Sequence, residues 1–140
     1  MTTELPPSLI AAYEATEYRV LGPRAFTLRI GQFSPELTAV FREHDVQCAA
    51  FITAWNPLGE LSAPEINATR QRALVDEVAA MGLVSFSGVG IDPTGGWEGE
   101  ESILILALDR VAASALATRF EQNAFVWIGS DAVPQLTFLR

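Results

Sequence analysis

The side chains with most chemical content fall in four short stretches. Asn67 and Arg70 stand on a segment where Ile66, Ala73, Leu74, Val78 and Met81 share one arc at 100° per residue. Both polar residues fall inside that arc. An arginine facing a core needs a partner, because an unpaired buried charge is costly. Two readings compete: a structural ion pair to Glu77, Glu100 or Glu101, or a pocket wall in which Arg70 and Asn67 hold an anionic or polar ligand. A side chain that snorkels to solvent is the third. The second stretch, Thr53-Ala54-Trp55-Asn56-Pro57, follows an apolar strand, and strand ends are where α/β sheets place ligands. Asn before Pro also favours a turn for purely local reasons. The third is Trp97-Glu98-Gly99-Glu100-Glu101-Ser102, leading into the most apolar strand. Adjacent carboxylates on a strand point to opposite sides, so one faces inward while its neighbour meets water. Glu101 is assigned the inward position, where it serves as general base, metal ligand or partner of Arg70; two solvated acids are the plain alternative. The fourth, Gln122-Asn123, joins a helix to a strand, where an Asn is commonly just a cap.

Other chemistries lack their residues. One cysteine, Cys48, and one histidine, His44, exclude an internal disulfide and the zinc sites that need several such ligands. Cys48 opens an apolar run and is expected to be a buried strand thiol, His44 a surface residue at a helix end. Asp92 with Glu100 and Glu101 leaves a weak Mg²⁺ or Ca²⁺ site open, without EF-hand spacing. No structural transition metal and no cofactor are expected. Gly88, Gly90, Gly95 and Gly96 form neither a dinucleotide fingerprint nor a Walker loop, and no nucleophile elbow is present. The net charge is −8, with nine arginines and no lysine. A surface this negative, without a basic stripe, argues against nucleic acid and against anionic lipid. Met1 to Pro7 lacks signal-peptide character, and the longest apolar run, Ile103 to Leu108, falls far short of the ~20 residues a membrane span needs. The expected location is cytoplasmic.

The elements that must position these residues follow from local signals. Ser8 to Ala15 reads as a helix after Pro6 and Pro7; Glu17 to Leu21 and Ala25 to Ile30 read as a hairpin around Gly22-Pro23. Ser34-Pro35-Glu36 starts a helix running to His44, and Gln47 to Thr53 is an apolar strand buried on both faces. Ser62-x-x-Glu65 reads as a capping box opening the longest helix, to Met81, with Gly82 closing it. Leu83 to Val89 and Ser102 to Leu108 are strands, the second central. Asp109 caps a helix to Phe120, and Ala124 to Ile128 with Gln135 to Leu139 form a terminal hairpin. The order αββαβαββαββ predicts one α/β domain over residues 1–140: a single mixed sheet of five to seven strands with three to four helices.

Tyr13-x-x-Thr16-x-Tyr18, Thr53-Ala54-Trp55-Asn56-Pro57, Asn67-x-x-Arg70, Trp97, Glu101-Ser102 and Gln122-Asn123-Ala124 together resemble the bacterial family called domain of unknown function 3293. The resemblance runs from Tyr13 to Leu139. It implies a small stand-alone domain whose motif residues are mainly polar and aromatic, and no activity.

The residues therefore predict a small-ligand-binding domain, its site drawn from Thr53, Trp55, Asn56, Asn67, Arg70, Trp97, Glu101, Ser102 and Gln122. Arg70 should be mostly buried and paired with Glu101. Asn67 should border the same cavity as Asn56 or Gln122. One alternative is a protein-interaction or regulatory module with Trp55 and Trp97 as exposed anchors. Another is a hydrolase-like enzyme with Glu101 as general base.

Overall fold

The computed structural model describes residues 5–139. Part of the Met1 to Pro7 stretch read above for a leader lies outside them. Helix α1 (Pro7–Ala15) starts on Pro7, whose missing N–H costs nothing in a first turn. Strands β1 (Glu17–Val20) and β2 (Phe26–Leu28) form the expected hairpin. Helix α2 (Pro35–His44) is capped by Ser34, whose Oγ accepts the Leu37 N–H at 3.1 Å, and ends on Asp45 in the left-handed region. Strand β3 (Ala49–Thr53) leads through a one-turn 3-10 helix at Pro57–Gly59 into α3 (Pro64–Ala80). The capping box does not form. Ala63 occupies the cap position without a side-chain bond, and the Ser62 N–H donates to Asn56 Oδ1 at 3.1 Å. Strands β4 (Ser85–Ile91) and β5 (Glu100–Leu106) precede α4 (Arg110–Arg119), where Asp109 accepts the Ala112 N–H at 2.8 Å. Strands β6 (Ala124–Ile128) and β7 (Pro134–Phe138) close the chain.

One seven-stranded sheet runs in the order β2-β1-β4-β5-β3-β6-β7, and every adjacent pair is antiparallel. Three connections skip strands: α2 joins β2 to β3 past β1, β4 and β5, α3 carries the chain from β3 to β4 over β5, and α4 carries it from β5 to β6 over β3. Helices α3 and α4 cover the same face. There Ala50, Ile52, Ile103 and Ile105 meet Leu74, Val78 and Leu116. On the opposite face α2 brings Leu37, Val40 and Phe41 onto Phe51, Leu104, Leu106 and Ile128. β5 is the middle strand, and Ile103 to Leu106 are buried on alternating faces, as the unbroken apolar run predicts. No helix among the described residues is long and apolar enough to cross a membrane.

The long helix is rotated from its expected setting. Its buried stripe is Asn67, Gln71, Leu74 and Val78, whereas Ile66 and Met81 are exposed. Its first turns pack on the chain leaving β3, a bare backbone with N–H and C=O groups to satisfy. Amide side chains do that and an isoleucine cannot.

Candidate functional site

The face covered by α2 at one end of the strands is hollow at the other. β4 presents Gly88 and Gly90 to this face, both buried. Register sets Gly90 between Tyr18 of β1 and Glu100 of β5, and Gly88 between Val20 and Ser102. Two strand positions thus carry no side chain. A Cβ on Gly88 would come within 2.7 Å of the Phe51 ring, so glycine is needed there for that ring to lie across the strand. The Phe51 ring meets Tyr18 edge to face, centroids 5.4 Å apart. α1 roofs the hollow with Leu9, Ala12 and Tyr13. It is tied down at its C-terminal end, where the Thr16 hydroxyl donates to Ala12 O at 2.6 Å and the Tyr18 hydroxyl to Tyr13 O at 2.6 Å. Burial pushes the Tyr18 phenol well above its ordinary pKa, so it stays a neutral donor.

The result is a cleft of about 200 Å³. Thr53, Trp55, Asn56, Trp97, Ser102 and Gln122, all expected at the site, line it. Asn56 organises the polar wall. Its backbone sits in the left-handed region (φ 48°), which Asn tolerates better than most residues. Its Oδ1 accepts from Ser62 N–H at 3.1 Å and from Asn67 Nδ2 at 3.0 Å; its Nδ2 donates to Glu100 Oε2 at 2.9 Å. Glu100 is the inward carboxylate. Burial pushes its pKa above the usual carboxylate range, and the Asn56 hydrogen bond offsets part of that rise. Thr53 Oγ1 donates to Glu101 O at 2.5 Å and accepts from Trp55 N–H at 3.1 Å, fixing the turn that presents the indole. Trp55 Nε1 is buried with no acceptor among the described residues, a cost of ~1–3 kcal/mol for a donor taken from water.

Three expected site residues lie outside the cleft lining. Glu101 is exposed, one residue out of phase with Glu100 and Ser102, so it does not line the cleft. Arg70 does not pair with it. Its Nε donates to Ala54 O at 3.2 Å, its second terminal nitrogen to Phe120 O at 2.8 Å, and its first lies 3.6 Å from Glu121 Oε1. Ala54 directly follows β3 and Phe120-Glu121 lead into β6, so the guanidinium leans toward β6, while β5 lies on the other side of β3. Arg70 is nonetheless mostly buried, its side chain 24% exposed. Asn67, 2% exposed, sits behind the wall rather than on the cavity; its Oδ1 accepts the Asn56 N–H at 2.9 Å. Gln71 accepts the Ala54 N–H at 3.1 Å. Gln122, on the far side of the Arg70 clasp, donates to Trp55 O at 3.2 Å and Phe120 O at 3.1 Å. Asn67, Arg70 and Gln71 thus form a staple. It fixes the Trp55–Asn56 loop against the α4–β6 turn and holds two cleft-lining segments in register.

The remaining candidates are structural. Asp92 closes its own turn, accepting from Thr94 N–H and hydroxyl at 2.9 and 2.7 Å and from Gly96 N–H at 2.9 Å, and these bonds hold its pKa low. Asp92, Glu100 and Glu101 do not gather: no group of three or more His, Cys, Asp or Glu that could hold a metal occurs among the described residues. Cys48 is half-buried, its thiol 3.5 Å from Leu108 O, and burial pushes its pKa up, away from reactivity. His44 ends α2 on the surface, its ring edge-on to Phe86 at 5.7 Å.

Gly90 is absent from the expected site; Glu100 enters the sequence reading only as a partner for Arg70 or a weak cation ligand, and Tyr13 only through the family motif. The alternation Gly88-x-Gly90 was the available signal: two glycines on one face of a strand leave a gap in the surface they share. Comparison with known proteins adds one relation. No curated protein and no solved structure matches the chain. Residues 52–125 match the family described as Protein of unknown function (DUF3293). That stretch holds the Trp55–Asn56 loop, the staple, Trp97, Glu100 and Gln122, while Tyr13, Thr16 and Tyr18 fall before it. The match spans more than half of the 140 residues, and the chain belongs to that family.

Proposed function

We propose that this chain is a small-ligand-binding domain and that its ligand occupies the cleft between α1 and the sheet. One observation carries the reading: a carboxylate, Glu100, is held by Asn56 at 2.9 Å in the wall of a ring-lined cleft left open at Gly90. A cavity needed only for packing would be filled, since interiors are close-packed. Convergent polar groups in an apolar cleft are the usual make-up of a ligand site. The expectation of an anionic ligand rested on Arg70, which is engaged elsewhere. The interaction-module reading keeps only Trp97, because Trp55 is half-buried in the cleft wall. Should the site support chemistry, Glu100 replaces Glu101 as the candidate base.

The test uses the three indole N–H signals in a ¹H–¹⁵N correlation spectrum during a screen of small polar ring compounds. Trp55 and Trp97 line the cleft, whereas Trp127 donates to Leu108 O at 3.0 Å and lies under Arg110. Hits are expected to move the first two signals and leave the third. They should lose binding in Gly90→Val, which fills the hollow from a strand position with room for a Cβ, its nearest neighbour being Thr16 Cγ2 at 3.7 Å. Hits that bind Gly90→Val unchanged would overturn the reading.

A further inference from the structure

The cleft wall carries one kind of charge. Among the described residues that line it, Glu100 is the one acidic side chain, and there is no arginine or histidine. The arginines with recorded ion pairs are committed elsewhere: Arg19 and Arg29 to Glu17, Arg24 to Glu43, Arg119 to Glu77 and Arg70 to Glu121. Glu100 has instead a neutral amide, Asn56 Nδ2, as its hydrogen-bond donor. A half-buried carboxylate with no cation beside it among the described residues is an unbalanced arrangement. Around it stand Tyr13, Tyr18, Phe51, Trp55, Trp97 and Phe125. Aromatic faces are negative and attract cations, most strongly where water is excluded. The chain's net charge of −8 adds a long-range field of the same sense. A metal ion fits poorly: hard cations take six or more oxygen ligands, and one carboxylate among rings does not supply them.

Resting on the reading of the cleft as a ligand site, we propose that it takes a small organic cation. An ammonium or guanidinium group would pair with Glu100, and its apolar body would lie among the rings of Tyr13, Trp55 and Trp97. The cation supplies the opposite charge the site lacks, and the rings replace the water it gives up.

Three ligands of matched shape separate charge from fit: benzylammonium, benzyl alcohol and benzoate, titrated against the full chain with the Trp55 and Trp97 indole signals as readout. Benzylammonium is expected to bind roughly tenfold or more tighter than benzyl alcohol, with benzoate weakest. Glu100→Gln keeps an acceptor for Asn56 and should bring benzylammonium down to the level of benzyl alcohol. Glu100→Asp, which retains the charge but withdraws it by a methylene, should fall between and guards against a fold defect in the first variant. Benzyl alcohol or benzoate binding as tightly as benzylammonium at the same indoles overturns the cation assignment and leaves the ligand-site reading standing. If none of the three moves either indole, both fall.

Discussion

One face of the sheet has two ends that differ in kind. Toward α2, β5 contributes Leu106 and Leu104, β3 contributes Ala49 and Phe51, and β4 contributes Phe86, all packed together. Toward α1 the same strands on the same face contribute Glu100 and Ser102, Thr53, and Gly88 and Gly90. Three neighbouring strands give up apolar bulk in the same direction. A single strand doing so would be an edge effect; three in register remove a volume. The packed end secures the chain, and the open end spends some of that security on a buried acid and an unsatisfied indole.

The largest expected effect falls at the packed end. Leu104 is fully buried at the sheet centre, so Leu104→Ala should cost ~2–5 kcal/mol in urea unfolding. A loss below about 1 kcal/mol would mean that the two ends do not differ in this way. The staple behind the cleft should matter next. Arg70→Met leaves Ala54 O and Phe120 O without their charged donor and should cost ~1–3 kcal/mol. In double-mutant cycles it should be additive with Glu101→Gln, and coupled to Glu121→Gln by less than about 1 kcal/mol because that ion pair is partly exposed. Strong coupling to Glu101 would restore the pairing that the lean of the guanidinium toward β6 rules out.

The smallest effect, opposite in sign, belongs to the open end. Burial raises the Glu100 pKa in the folded chain, so folding favours its protonated form. That contribution is full below the unfolded pKa and disappears as pH rises through the folded one. At neutral pH the wild type therefore carries a penalty that Glu100→Gln lacks. The variant should melt a few degrees higher at pH 7, and the difference should shrink as pH falls through the carboxylate range. The Asn56 hydrogen bond is the polar contact that opposes this rise. A variant less stable at pH 7 would show that Glu100 belongs to the packed structure after all.

The fold was largely legible because its signals are local. Ser34, Asp109 and Gly82 mark helix ends by hydrogen bonds and backbone angles that neighbours set. The run from Ile103 to Leu106 identified a central strand because only burial on both faces tolerates it. Sheet order, with α3 and α4 each passing over one strand, is a long-range choice that no local pattern encodes. The site was legible in its loops and illegible in its phases. Glu100 and Glu101 differ by one position, and a strand inverts its faces at each residue. Which acid turned inward depended on pairing with Gly90, not on anything in the Glu-Glu pair itself. The arc of α3 was drawn through its apolar residues, yet Asn67 and Gln71 are buried against backbone, for which apolar periodicity has no term. The capping box at Ser62 failed because Asn56 claimed the Ser62 N–H first.

The cleft gathers residues from Leu9 near one terminus to Leu136 near the other, with β3, β5 and the α4–β6 turn between. No fragment of the chain contains it. Such a cavity exists only once the amino-terminal helix has docked and the last hairpin has closed, so occupancy is coupled to the complete fold rather than to any part. A molecule seated there would touch α1 and the β6–β7 hairpin at once. At a hundredfold excess over its dissociation constant it would raise global unfolding by about 2.7 kcal/mol. That would be enough to offset a substitution such as Arg70→Met anywhere along the chain, and it would make the abundance of the folded protein responsive to the abundance of such a molecule.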